Sequence, residues 1–98
     1  MKLYHATTPR RAKLYQGTGA ILKPVRGFTT LMGAMAWSLS IQGERTVFYE
    51  IDCEGLDTYK LPDHHNEFGE AWWIDADVPY GSAKCVYSAK AGLGEDVV

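Results

Sequence analysis

Four short stretches of this chain carry side chains able to do chemistry. They are Tyr4-His5-Ala6-Thr7, Phe28-Thr29-Thr30, the run Asp63-His64-His65-Asn66-Glu67, and Phe68-Gly69-Glu70. Metal binding is the first chemistry to weigh. Asp63, His64, His65 and Glu67 have ligand types, but adjacent histidines in an extended segment point to opposite sides. No helical i, i+4 histidine pair exists. The run therefore reads as a solvated polar loop, and no metal is expected. Cys53 and Cys85 have neither Cys-x-x-Cys nor zinc-finger spacing, and read as reduced, largely buried thiols. The glycines at 17 and 19 have neither the lysine nor the strand-to-helix setting of a phosphate loop.

The remaining set is a histidine, an aromatic ring beside two hydroxyls, and a carboxylate. Taken singly, each has a plain reading. His5 ends a first strand, Thr29 or Thr30 caps a helix, and Glu70 faces solvent from a late strand. Their meaning depends on the elements that carry them.

Lys2 to Ala6 predicts a strand. Thr8 as N-cap and Pro9 at the first helical position predict a helix over 9–16, stopped at Gly17. Arg10 and Arg11 would sit in its first turn, where the helix dipole disfavours cations unless an anion faces them. Residues 18–27 read as loop with a short strand at Ile21-Leu22. Leu31, Met35 and Leu39 are spaced four apart, with Ala34, Trp37 and Ile41 near the same stripe. That pattern predicts an amphipathic helix running to Gly43. Residues 45–53 form the clearest strand, with Val47, Tyr49 and Ile51 on one face. Residues 54–69 are a connection long enough to suggest function. A strand follows with Glu70, Trp72 and Ile74 on one face, then a turn at Pro79-Tyr80-Gly81, a last strand over 83–89 and a frayed tail over 91–98. The order predicts an α+β domain with a strand-rich second half.

The 98 residues suit one domain spanning 1–98, with 46% hydrophobic, 22% charged and 12% aromatic residues. A net charge of -2 gives no global field for nucleic acid, though a local basic patch stays open. No apolar run approaches the roughly 20 residues of a membrane span, and the N-terminus lacks a signal peptide's apolar centre. The expectation is a soluble, cytoplasmic protein.

The order of the three motifs resembles the ADP-ribosyltransferase superfamily. Tyr4-His5-Ala6-Thr7 is similar to its first-strand tyrosine-histidine-glycine-threonine. Phe28-Thr29-Thr30 before Ala34-Met35-Ala36-Trp37 is similar to its aromatic-threonine motif and alanine-rich helix. Glu70 is similar to the glutamate opening a later strand that runs to a proline turn. The likeness covers residues 3 to 87 and looks closest to small bacterial members, including rifampin-type ADP-ribosyltransferases and RNA 2'-phosphotransferases. Ala6 departs from the usual glycine, and Phe28 from the usual tyrosine.

The resemblance implies a compact α+β fold with two small antiparallel-rich sheets and two helices. It implies a nucleotide-binding glycosyltransferase that uses NAD as substrate and passes ADP-ribose to a protein, nucleic acid, small molecule or water. By resemblance, Glu70 is catalytic, stabilising an oxocarbenium-like ribose. NAD is held by His5, Ala6, Thr7, Phe28 and Thr29, with Phe28 stacking on nicotinamide. Glu67 stands near where an acceptor-orienting residue would be. Arg10, Arg11, Lys23 and Arg26 are cations able to face a pyrophosphate or an anionic acceptor. Two alternatives stay open: RNA 2'-phosphotransferase chemistry, and a catalytically silent nucleotide- or protein-binding module on the same scaffold.

Overall fold

The computed structural model describes residues 1–41, 45–62 and 69–88. Gly43, the histidine-rich run with Glu67, and the tail expected over 91–98 lie outside the described residues. The elements are β1 (Lys2–Thr7), α1 (Pro9–Thr18), β2 (Ala20–Ile21), β3 (Val25–Phe28), α2 (Leu31–Ser40), β4 (Val47–Asp52), β5 (Thr58–Lys60), β6 (Ala71–Ile74), β7 (Val78–Pro79) and β8 (Ala83–Ser88). A 3-10 turn over Tyr80–Ser82 joins the last two strands. The mixed, mostly antiparallel architecture with two helices agrees with the α+β expectation.

Six strands form one sheet in the order β5-β6-β3-β1-β4-β8, and β2 pairs with β7 in a second, two-stranded sheet. β1 registers with β4 over six residues, from Lys2 opposite Asp52 to Thr7 opposite Val47. Its pairing with β3 on the other side has a single register position, Tyr4 opposite Phe28. Phe28 in turn lies opposite Ala71 of β6.

Alternation along these strands makes two cores, one on each face of the large sheet. On one face Leu3, Val25, Tyr49, Ile51 and Ile74 pack with Ala12 and Tyr15 of α1 and with Ile21 and Val78 of the small sheet. On the other, Ala6, Phe28, Phe48 and Ala71 pack with Ala34 of α2, flanked by Met35 and Trp37. Val47, Tyr49 and Ile51 share the first face, as their spacing predicts.

The helices differ from the sequence expectation in instructive ways. α1 runs through Gly17 and ends at Gly19, which adopts φ 79° and returns its N–H to the Tyr15 carbonyl at 2.8 Å. Only the second glycine meets the left-handed requirement of the cap. In α2, Thr30 is the N-cap, its hydroxyl accepting from the Gly33 N–H at 2.9 Å, and the helix closes at Ile41. The buried face is Gly33, Ala34 and Ser38, whereas Leu39 is 87% exposed. Small residues let the helix lie close on the sheet; Leu31, Met35 and Trp37 of the expected stripe pack at the margin of this core, and Leu39 departs from it.

Two strands fall where the sequence predicts none, β3 in the 18–27 loop and β5 inside the long connection, and the single strand expected over 70–78 divides into β6 and β7, which belong to different sheets. β3 and β5 are short and find their partners only across the sheet. Cys53 is buried, with burial pushing its thiol pKa up, but Cys85 is exposed, which corrects the expectation of two buried thiols. Among the described residues no helix is long and apolar enough to cross a membrane.

Candidate functional site

His5 sits in mid-β1 on the α1 side of the sheet, where the β1–β3 ladder has stopped. Its Nδ1 lies 2.9 Å from the Arg26 carbonyl, a group that only accepts, so Nδ1 carries the proton. Nε2 is then the acceptor for the Tyr15 hydroxyl at 3.2 Å. The Tyr15 oxygen accepts in turn from the Thr7 hydroxyl at 3.1 Å. This chain of bonds fixes one neutral tautomer. The His5 pKa is lowered to about 4, chiefly by burial, with Arg45 and Arg11 adding repulsion and the Arg26 carbonyl opposing them. At neutral pH the ring is uncharged.

Glu70 immediately precedes β6. Its carbonyl accepts from the Thr29 N–H at 3.1 Å, which ties the end of β3 to the start of β6. Its carboxylate takes the Trp72 indole N–H at 3.2 Å and pairs with the Lys60 ammonium at 3.3 Å. Those two donors, Trp72 first, hold its carboxyl below the ordinary glutamate pKa, so it is ionised at neutral pH. The pair is exposed, and exposed pairs of this kind exchange readily with water and contribute little. His5 and Glu70 project from the same face of three adjacent strands, β1, β3 and β6. They are two strands and two residues apart, roughly 12 Å between Cα atoms at ordinary sheet spacings.

Beside His5 is a cavity of about 280 Å³, lined by His5, Arg11, Arg26, Trp37, Arg45 and Trp73. The Arg26 guanidinium lies between two indoles, 5.3 Å from the centre of Trp37 and 5.2 Å from that of Trp73. Arg45 lies 5.7 Å from the same Trp37 ring. The ion pairs among the described residues are Lys2–Glu50 and Lys60–Glu70, so Arg11, Arg26 and Arg45 have no carboxylate partner there. A larger groove of about 680 Å³ runs between α1 and the β4–β8 edge, past Arg10, Lys13, Gln16, Tyr49 and Cys85. It contains neither His5 nor Glu70.

The structure thus brings His5, Arg11 and Arg26 to one cavity and places Glu70 on the sheet face that carries His5 and Thr7, whereas Arg26 leaves β3 on the α2 side with Phe28. Other expected site residues fall elsewhere. Phe28 projects from the opposite face, fully buried, with its ring 5.4 Å from that of Trp37. It is a core side chain, and the stacking role expected of it is corrected on that ground. Thr7 is fully buried with its hydroxyl committed to Tyr15, so it positions the histidine network and presents nothing to a ligand. Ala6 is a buried contact under α2 that also touches the cavity. Thr29 holds Glu70 through its backbone. Arg10 lines the larger groove, and the Lys23 N–H is bonded to Asp77 at 2.9 Å.

Sequence reading missed Tyr15, Arg45 and Trp73 as members of this neighbourhood. Tyr15 follows Ala12 by one helical step and shares its buried stripe, a signal that was readable. Trp73 meets Arg26 only through the β3–β6 register. Comparison with protein-family models, with curated proteins and with solved structures finds no match to this chain.

Proposed function

We propose that this chain is an NAD-dependent, ADP-ribosyltransferase-like glycosyltransferase on an ADP-ribosyltransferase-like fold. It would cleave the nicotinamide–ribose bond and pass ADP-ribose to an acceptor. The observation that carries this reading is the shared sheet face of His5, in β1, and Glu70, just before β6, with β3 between them, in the motif order the sequence resembles. Glu70 is ionised and open to solvent, as a group must be to sit against a ribose that becomes cation-like. The glycosidic C–N bond breaks and nicotinamide leaves with its electron pair. The acceptor's oxygen or nitrogen bonds the same ribose carbon and gives its proton to Glu70 or water. The Lys60 ammonium must swing away from the carboxylate for full effect, and an exposed pair allows that. Trp72, bonded to Glu70, is the ring best placed to cover the leaving group in place of Phe28. His5 would meet a ribose hydroxyl at Nε2, displacing the long bond from Tyr15.

The test is release of free nicotinamide from NAD, followed with and without cell lysate, for the native chain and Glu70→Gln. Release that Glu70→Gln abolishes, with its fold and NAD binding kept, supports the reading. Neither release nor NAD binding by the native chain would leave the silent-module alternative standing.

A further inference from the structure

We propose that the cavity beside His5 is a phosphate site, taking one phosphate or pyrophosphate group, either free or carried by a nucleotide. It uses none of the chemistry of Glu70, so it stands whether or not the chain consumes NAD. Three observations carry it.

The first is charge without an answer. Arg11, Arg26 and Arg45 line one space of about 280 Å³, and among the described residues no carboxylate pairs with any of them. His5 is neutral there and supplies no counter-charge. The repulsion is visible in Arg26, whose pKa is lowered by burial and by Arg45.

The second is an unmet donor. The Arg45 Nε is buried and has no hydrogen-bond partner. A buried donor left unpaired is destabilising, and an anion's oxygen in this cavity would satisfy it.

The third is preorganisation. Trp37 and Trp73 hold the Arg26 guanidinium between their rings, and Trp37 also holds Arg45. The two forks are therefore positioned before any ligand arrives, which removes much of the ordering entropy of binding. A carboxylate brings one charge and two oxygens to three guanidiniums. A phosphate brings up to two charges and at least three oxygens in the geometry those forks match. The volume lies at the lower edge of the roughly 300–1,000 Å³ typical of small-ligand pockets. It accommodates a phosphate and its near neighbours but not a whole dinucleotide.

Titration calorimetry at low ionic strength with inorganic pyrophosphate, ADP and adenosine tests this on the full chain. Pyrophosphate and ADP are expected to bind, and adenosine is not. Equal affinity for pyrophosphate and ADP would assign the site to the free anion, whereas tighter ADP would assign it to a nucleotide's phosphates. Arg45→Gln keeps a stem over Trp37 and should weaken both ligands by about tenfold to a hundredfold. The same variant, without ligand, should melt no lower than the native chain, because repulsion and an unmet donor are both removed. Glu70→Gln should bind pyrophosphate as the native chain does. Absence of pyrophosphate binding, or ADP binding that Arg45→Gln leaves intact, would overturn the proposal.

Discussion

Acidification should unfold this protein through His5 before it does so through the carboxylates. The folded pKa is about 4, against an ordinary 6.5. The shift is downward, so the native state resists a proton that the unfolded chain accepts. Stability is complete above pH 6.5, declines between pH 6.5 and 4, and is flat with respect to this group below that. At about 1.36 kcal/mol per pKa unit, the full loss is roughly 3 kcal/mol, of which about 2 kcal/mol is gone by pH 5. Set against the 5–15 kcal/mol typical of a small domain, that is a large fraction. Glu50 and Glu70, both with lowered carboxyl pKa values, lose their contribution only below the glutamate range, so the window from pH 6.5 to 5 isolates histidine. The assay is urea denaturation at pH 7.5 and pH 5, on the native chain and on His5→Asn. The asparagine amide can still donate to the Arg26 carbonyl but does not titrate. Subtracting the variant also removes any contribution from His64 and His65. Equal losses in the two proteins between those pH values would refute the half-buried, neutral-histidine network.

Two further outcomes test the packing. Gly27→Ala should cost about 1–3 kcal/mol, the usual range for overpacking, because an added Cβ would stand 2.7 Å from the Cβ of fully buried Leu3; an unchanged thermal midpoint would show that the two strands can separate freely. A thiol reagent should modify exposed Cys85 under native conditions and reach buried Cys53 only on unfolding, as read by mass spectrometry of the labelled peptides; prompt double labelling would contradict the burial of Cys53.

How much of this was legible in the sequence depends on the range of the signal. Local chemistry was readable. The Thr8-Pro9 start, the Thr30 cap and the alternating 47–51 strand all appear where neighbouring residues predict them. The alternation put Glu70, Trp72 and Ile74 on one face, but that His5 shares it emerges only from the strand order through β3. Elements defined by distant partners were not readable. β3 and β5 are four and three residues long, and what makes them strands is β6 lying between them. The cost of that blindness fell on Phe28. A ring beside two threonines looks like a ligand platform until the register turns it under α2. Arg45 failed for a different reason. Its meaning lies in what it lacks, a partner, and absence of a partner has no sequence pattern.

The single register position between β1 and β3 has a mechanical consequence. The large sheet is two three-stranded ribbons, β5-β6-β3 and β1-β4-β8, stitched at Tyr4 and Phe28 and again by an imidazole reaching the Arg26 carbonyl. Glu70 rides on one ribbon and His5 on the other. Both cores run under the seam, Leu3 and Ile51 with Val25 and Ile74 on one face and Ala6 and Phe48 with Phe28 and Ala71 on the other, so side-chain packing more than a continuous ladder holds the spacing between those two side chains.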